Sequence, residues 1–166
     1  MDYTFKKVLP EDVYVSIFPL DKSSKTDEAG NKHAPECANK LSGMEFMDIF
    51  ARMLWYWPYA DIKIFSDKMQ VDTPTFACVV NTFSGISTVE WRDRYVNLAA
   101  RELLAESMMS ITDIAEYLGF TSIHTFSRYF AKHNGKSPKH WRYSQRGFNT
   151  NKLDIMKYKL RKNGIE

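Results

Sequence analysis

Apolar residues in the second half of the chain recur at helical rather than strand spacing. Ile111, Ile114, Ala115 and Leu118 form one inward stripe. Ile123, Phe126 and Phe130 form a second, with His124, Ser127, Arg128 and Ala131 at i, i+3, i+4 and i+7 on another face of the same segment. Ser110 stands before the first stripe as an N-cap, Gly119 follows it where a positive-φ turn is needed, and Thr121 or Ser122 can cap the second. A short helix, a tight turn and a helix with a polar outer face make a helix-turn-helix unit. The plan occurs twice. Gly85, Ser87, Trp91 and Arg92 recur as Gly135, Ser137, Trp141 and Arg142 at an offset of 50, as do Phe76 and Val80 as Phe126 and Phe130. Upstream, Ile62, Phe65, Ser66 and Val71 answer to Ile111, Ile114, Ala115 and Phe120 at 49, so the copies differ by one residue between Val71 and Phe76. A repeat of that length is one structural unit built twice.

The flanking segments complete an all-α expectation. Ser42 to Glu45 has the S-x-x-E form of a capping box, and Phe46, Met47, Ile49, Phe50, Met53, Leu54 and Trp57 follow as an apolar helix that Pro58 ends. Residues 90–105 contain no Gly or Pro and are rich in Ala, Leu and Glu, which predicts a long connecting helix. Between Pro10 and Pro19, residues 13–18 form one short candidate strand without a partner in view, and residues 21–39 are polar and punctuated by Gly30 and Pro35. The expected organisation is therefore a mostly flexible N-terminal segment over 1–40, a double helix-turn-helix domain over 41–146, and a basic tail over 147–166. Within the domain, the first unit occupies about 60–90, the connecting helix about 90–105 and the second unit about 110–142.

Charge changes the picture more than composition does. The 166 residues, 44% of them hydrophobic, suffice for a core, and the net charge is only +3. Residues 41–120 carry six Lys or Arg against eleven Asp or Glu, whereas residues 121–166 carry eleven against two. Positive charge is gathered where a polyanion could be gripped. Other classes find little support. Cys37 and Cys78 lack C-x-x-C spacing and read as free thiols, the four histidines offer no metal spacing, and His33 with Cys37 is isolated. No glycine-rich phosphate loop, Ser-His-Asp set or carboxylate pair stands out, so neither an enzyme nor a cofactor is expected. No run of eighteen apolar residues occurs and the N-terminus lacks a signal-peptide stretch, which predicts a cytoplasmic protein without membrane attachment. The aromatic residues Trp55, Tyr56, Trp57 and Tyr59 either pack the first helix or line a ligand pocket.

The stretches SITDIAEYLGF over 110–120, FSRYFAK over 126–132 and GKSPKHWR over 135–142 closely resemble the AraC/XylS family of bacterial transcription regulators. The resemblance runs over residues 44–146, with both copies and the joining helix in family order. It implies two recognition helices that enter successive major grooves of duplex DNA, and RNA polymerase or another regulator as a further partner. Carried over residue by residue, the second reading helix is 122–132. Ser122, His124, Thr125, Ser127 and Arg128 are then base-reading candidates, and Lys132, Lys136, Lys139, Arg142 and Arg146 phosphate candidates. Ile123 either touches a thymine methyl or packs inward.

The first copy departs from this pattern. Cys78, Thr82, Ile86 and Val89 stand where the second copy has Arg128, Lys132, Lys136 and Lys139, and Gln70 replaces the turn glycine. Val96 also stands in the connecting helix where the family usually carries Arg. What remains for base contact in the first copy is Thr73, Thr75, Ala77, Cys78 and Asn81. The expected function is sequence-specific transcription regulation, with the major groove read mainly by the second copy. The rival is a protein-interaction module or anti-activator that keeps the fold without operator recognition. The plan resembles the family's small single-domain activators, whose activity would be set by abundance or by a partner.

Overall fold

The computed structural model describes residues 6–17 and 41–145. Its elements are α1 (Pro10–Val13), α2 (Glu45–Tyr56), α3 (Ile62–Lys68), α4 (Thr73–Ser84), α5 (Thr88–Glu106), α6 (Ile111–Tyr117), α7 (Ile123–Asn134) and α8 (Pro138–Gln145). Helix α5 is the spine. Its 19 residues give it a length of about 28 Å, and α1, α2, α4, α6, α7 and α8 all pack against it.

The repeat read from the sequence is a repeat of backbone devices. Asp61 and Ser110 cap α3 and α6, Asp72 and Ser122 cap α4 and α7, and Gly85 and Gly135 end α4 and α7 in the left-handed conformation at φ 76° and 68°. Each reading-helix cap accepts the backbone N–H of the third residue on, Thr75 at 3.0 Å and Thr125 at 3.1 Å. The turns between the paired helices also match. Gln70 N–H donates to Asp67 O and Val71 N–H to Ser66 O, as Gly119 N–H does to Glu116 O and Phe120 N–H to Ala115 O. The additional residue of the second copy, Thr121, sits between that turn and the cap.

Gly119 has φ +84°, and a Cβ there would lie 2.6 Å from Tyr59 Cβ and 2.7 Å from its Cα. The second turn is thus closed onto the backbone that leads into the first copy, and only glycine fits. Gln70 holds the same turn at φ 56° with an exposed side chain. A left-handed non-glycine residue is strained by about 1–2 kcal/mol, partly offset by the greater unfolded entropy of glycine. Gln70→Gly should therefore raise stability by about 0.5–1 kcal/mol, read as a higher urea midpoint. A lowered midpoint would show that the turn is relaxed as it stands.

Two aromatic clusters fill the copies. Phe50 meets Phe65, Phe76 and Trp91 at centroid separations of 5.5, 5.0 and 4.8 Å. In the second copy Phe126 meets Phe120 at 5.2 Å and Phe130 at 5.9 Å, and Phe130 meets Trp141 at 5.9 Å. Of the aromatic run, Trp55 is buried, while Tyr56 and Trp57 are half-buried against the core.

Two local expectations differ from what forms. Over 13–18 no strand appears among the described residues. A helical turn ends at Val13, and 14–17 continue without sheet pairing. Phe18 lies outside the described residues. The segment is instead held by the helices. Val8 N–H donates to Phe83 O at 2.9 Å, the Trp91 and Trp55 indoles donate to Val8 O and Ser16 O at 3.0 Å, and Val8, Val13 and Ile17 are buried. Glu102 accepts from the Tyr14 hydroxyl, the Ser16 hydroxyl and Ile17 N–H. Burial and the Glu102 charge hold the Tyr14 hydroxyl well above the ordinary phenol range, so it stays a donor.

The capping box at 42–45 is also displaced. Met44 is the N-cap of α2, Ser42 Oγ accepts Met44 N–H at 3.1 Å, and it is Asp48 rather than Glu45 that accepts Ser42 N–H, at 2.8 Å. Asp48 is buried, which favours that longer reach back across the first turn.

Candidate nucleic-acid interface

Helix α7 is anchored along its inner side. Phe126 and Phe130 are fully buried, the half-buried Tyr129 donates its hydroxyl to Asp93 O on α5, and Asn134 Nδ2 donates to Asn97 Oδ1 at 2.7 Å, with a return bond at 3.4 Å. Desolvation pushes the Tyr129 hydroxyl well above the usual phenol range and keeps it protonated as a donor. The Asp93 carboxyl is likewise raised, by its own half-burial. These ties fix the roll of α7 about its axis, and the roll decides which side chains face out.

The outward set is His124, Thr125, Arg128 and Lys132, all exposed, with Ser127 half-buried at the edge. His124, Arg128 and Lys132 follow one another at i+4 spacing along a single helix face. Ser122 is engaged as the cap, its hydroxyl 3.0 Å from that of Thr125. Ile123 is half-buried. Lys136 and Lys139 are exposed in the turn and at the start of α8. The structure thus brings together the Arg128 guanidinium, the ammonium groups of Lys132, Lys136 and Lys139, the His124 imidazole and the hydroxyls of Ser122, Thr125 and Ser127 on and beside α7. That set suits base-edge readout flanked by phosphate contacts.

Arg142 does not join it. Its Nη2 donates to Met109 O at 2.7 Å and its Nε to Leu104 O at 3.4 Å, tying α8 to the end of α5 and the segment leading to α6. Arg92, its counterpart in the first copy, likewise donates to Pro58 O at 3.3 Å. The repeated Trp-Arg pair closes each unit, and Arg142 serves there as a clamp. Arg146 lies outside the described residues.

On α4, Thr73, Thr75, Cys78 and Asn81 are exposed and Ala77 is half-buried. Two of these groups are engaged locally. Thr73 Oγ1 lies 3.1 Å from Ser66 Oγ, and Thr75 Oγ1 donates to Asp72 Oδ1 at 2.6 Å. Helix α4 itself carries no Lys or Arg, and the exposed Lys7 side chain lies against Gly85 at its C-terminal end. Missed by the sequence reading were the positioning groups Tyr129, Asn97 and Asn134, whose partners lie 36 or 37 residues away, and the charged caps of the first copy. The caps were visible in principle, because Asp72 and Ser122 align at the repeat offset.

A family model described as a helix-turn-helix domain matches residues 65–144. Residues 65–144 belong to the AraC-type helix-turn-helix family. Solved structures share the fold of this AraC-type domain. The DNA-binding domain of AdpA, a global transcriptional factor solved in complex with a target DNA, is 22% identical over 61% of this chain and 93% of its own, with a TM-score of 0.56. A transcriptional regulator with an AraC-type DNA-binding domain from Chromobacterium violaceum is 17% identical over 63% and 95%, with a TM-score of 0.55. The C-terminal domain of the two-component response regulator yesN from Fusobacterium nucleatum subsp. nucleatum is 19% identical over 59% and 94%, with a TM-score of 0.53. No curated protein matches the chain. The family match and these neighbours agree on a helix-turn-helix fold. No helix among the described residues is long and apolar enough to cross a membrane.

Proposed function

We propose that this protein is a sequence-specific transcription regulator that reads the major groove through α7. The observation that carries the reading is the outward face of that helix, where His124, Thr125 and Arg128 stand exposed above a buried seam of Phe126 and Phe130. Arg128 offers the planar fork that a guanine edge accepts, His124 and Thr125 add shorter donors and acceptors, and Lys132, Lys136 and Lys139 are placed for the flanking backbone. The AdpA domain's complex with a target DNA supports a duplex partner for this shared fold. The first copy contributes weakly, through Thr73, Thr75, Ala77, Cys78 and Asn81. RNA polymerase or a second regulator is the partner through which such a small domain would act.

Selection of bound sequences from a random duplex library at near-physiological salt tests this, with Arg128→Ala in parallel. A motif should enrich for the native protein and lose its strongest position in the variant. If nothing enriches and binding falls steeply with salt, the contact is phosphate-only and the interaction-module reading replaces this one.

A further inference from the structure

The N-terminal segment gives the two copies unlike surroundings. In the first, the Trp91 indole N–H donates to Val8 O at 3.0 Å and Val8 N–H donates to Phe83 O at 2.9 Å, with the Val8 side chain buried. In the second, the Trp141 indole nitrogen is also buried, and among the described residues it has no hydrogen-bond partner. The contrast continues at the glycine that ends each reading helix. A Cβ at Gly135 would meet nothing within 4 Å, whereas one at Gly85 would lie 2.6 Å from Lys7 Nζ, 3.0 Å from its Cε and 3.2 Å from its Cδ. The Lys7 side chain therefore lies across the turn between α4 and α5.

We propose that Lys7 is a DNA-phosphate contact of the first copy, supplied by the N-terminal segment at the turn where the second copy carries Lys136. The proposal rests on the reading of α7 and its flank as a DNA-binding surface, with the first copy presented to the next groove segment. Gly85 and Gly135 are repeat equivalents with the same left-handed backbone, so the residue after each holds the same place in its unit. After Gly135 that residue is the exposed Lys136, and after Gly85 it is the half-buried, uncharged Ile86. Lys7 returns an ammonium group to that turn from the other end of the chain. Helix α4 has no Lys or Arg of its own, and at the start of α5 Arg92 is tied to Pro58 O while Arg94 pairs with Glu90 at 2.8 Å. A cation near a helix C-terminus is favoured by the dipole, and a lysine that served only as a cap would donate to the last carbonyls. Among the described residues no carbonyl or carboxylate holds the Lys7 ammonium, and the residue is exposed, so its donors are open to an incoming anion. The two backbone bonds of Val8 fix where the neighbouring side chain starts, which lowers the entropy lost when its ammonium meets a phosphate.

The test compares the full native chain with Lys7→Gln, Lys7→Arg and Lys6→Gln. Each is titrated at several salt concentrations against a duplex carrying the selected site with two helical turns of flanking sequence on either side, and against a scrambled duplex. Lys6 and Lys7 are exposed, so the fold should hold, and thermal melting checks it. Lys7→Gln should bind both duplexes about fivefold more weakly at about 50 mM salt and lower the log–log salt slope by about one unit. Lys7→Arg and Lys6→Gln should keep the native slope. Ethylation of single phosphates should show one phosphate that matters to the native chain and not to Lys7→Gln, about 34 Å along the duplex from the base pair that Arg128 reads. A native slope in Lys7→Gln overturns the proposal, and with a lowered melting temperature it leaves Lys7 as a helix cap only. An equal loss in Lys6→Gln overturns it as diffuse charge, and an equal loss in Lys7→Arg overturns it because the effect is then not one of charge. Arg128→Ala keeps the failures apart. If it leaves native base preference intact, the reading of α7 has failed, whereas loss of preference alongside an inert Lys7→Gln condemns only the role of Lys7.

Discussion

Replacing Trp91 with alanine should destabilise the protein by about 3–5 kcal/mol, while the same change at Trp141 should cost markedly less. The two residues occupy the same place in the repeat, so the expected difference comes from surroundings. Trp91 is fully buried, stacks on Phe50 at 4.8 Å and on Tyr95 at 5.9 Å, and donates its indole N–H to Val8 O at 3.0 Å. Its removal opens a cavity beside two aromatic groups and leaves a buried carbonyl without its donor. Trp141 is half-buried, and one face is covered by the Arg101 guanidinium 4.7 Å from the ring centroid, a contact worth about 0.5–1 kcal/mol near solvent. Against a total stability of about 5–15 kcal/mol for a domain of this kind, the first change threatens folding and the second does not. Equal shifts in denaturation midpoint would mean that the two units close in the same way.

Trp91 also marks the limit of what the sequence discloses. The helix pairs and the caps and turn of the second copy were legible because each is written within four residues: Ser110 before Ile111, Gly119 after Leu118, Phe126 and Phe130 one turn apart. The docking of residues 8–17 was not, because it depends on partners far along the chain. Glu102 accepts from Tyr14, Ser16 and Ile17 across 85 to 88 residues, and Trp91 donates to Val8 across 83. A four-residue helix has no periodicity to detect, and the alternating Val13 and Val15 imitate a strand. The capping box went astray for a related reason, since S-x-x-E at 42–45 is sound local grammar that the buried Asp48 outcompetes.

Arg142 teaches something different. In a segment with eleven cations its charge suggested phosphate, yet its repeat partner Arg92 lies in the copy with the acidic balance. A basic residue kept in both copies while Arg128, Lys132, Lys136 and Lys139 lack counterparts marks a job common to both, and the carbonyl clamps are that job. Positions that agree between copies report how the unit is built, and positions that disagree report what each unit meets.

On that logic Arg128 should carry the largest single share of sequence discrimination. Arg128→Ala should weaken specific binding by about 1–3 kcal/mol, roughly tenfold to more than a hundredfold, and flatten the preference at one base pair. The effect should concentrate there because Tyr129 and the Asn97–Asn134 pair hold α7 against α5 on the opposite side, so losing one outward side chain does not release the others. Arg128→Lys separates geometry from charge. An ammonium group retains attraction to the duplex but cannot form the planar fork, so the lysine variant should keep the native salt slope while losing most of the base preference. Lys132→Ala should do the reverse, weakening all sequences alike and reducing the slope by about one unit. Titrations of the three variants against the selected site and a scrambled duplex, each at several salt concentrations, read both quantities. If the lysine variant discriminates as well as the native protein, Arg128 acts as a point charge and the base reading must pass to His124, Thr125 and Ser127.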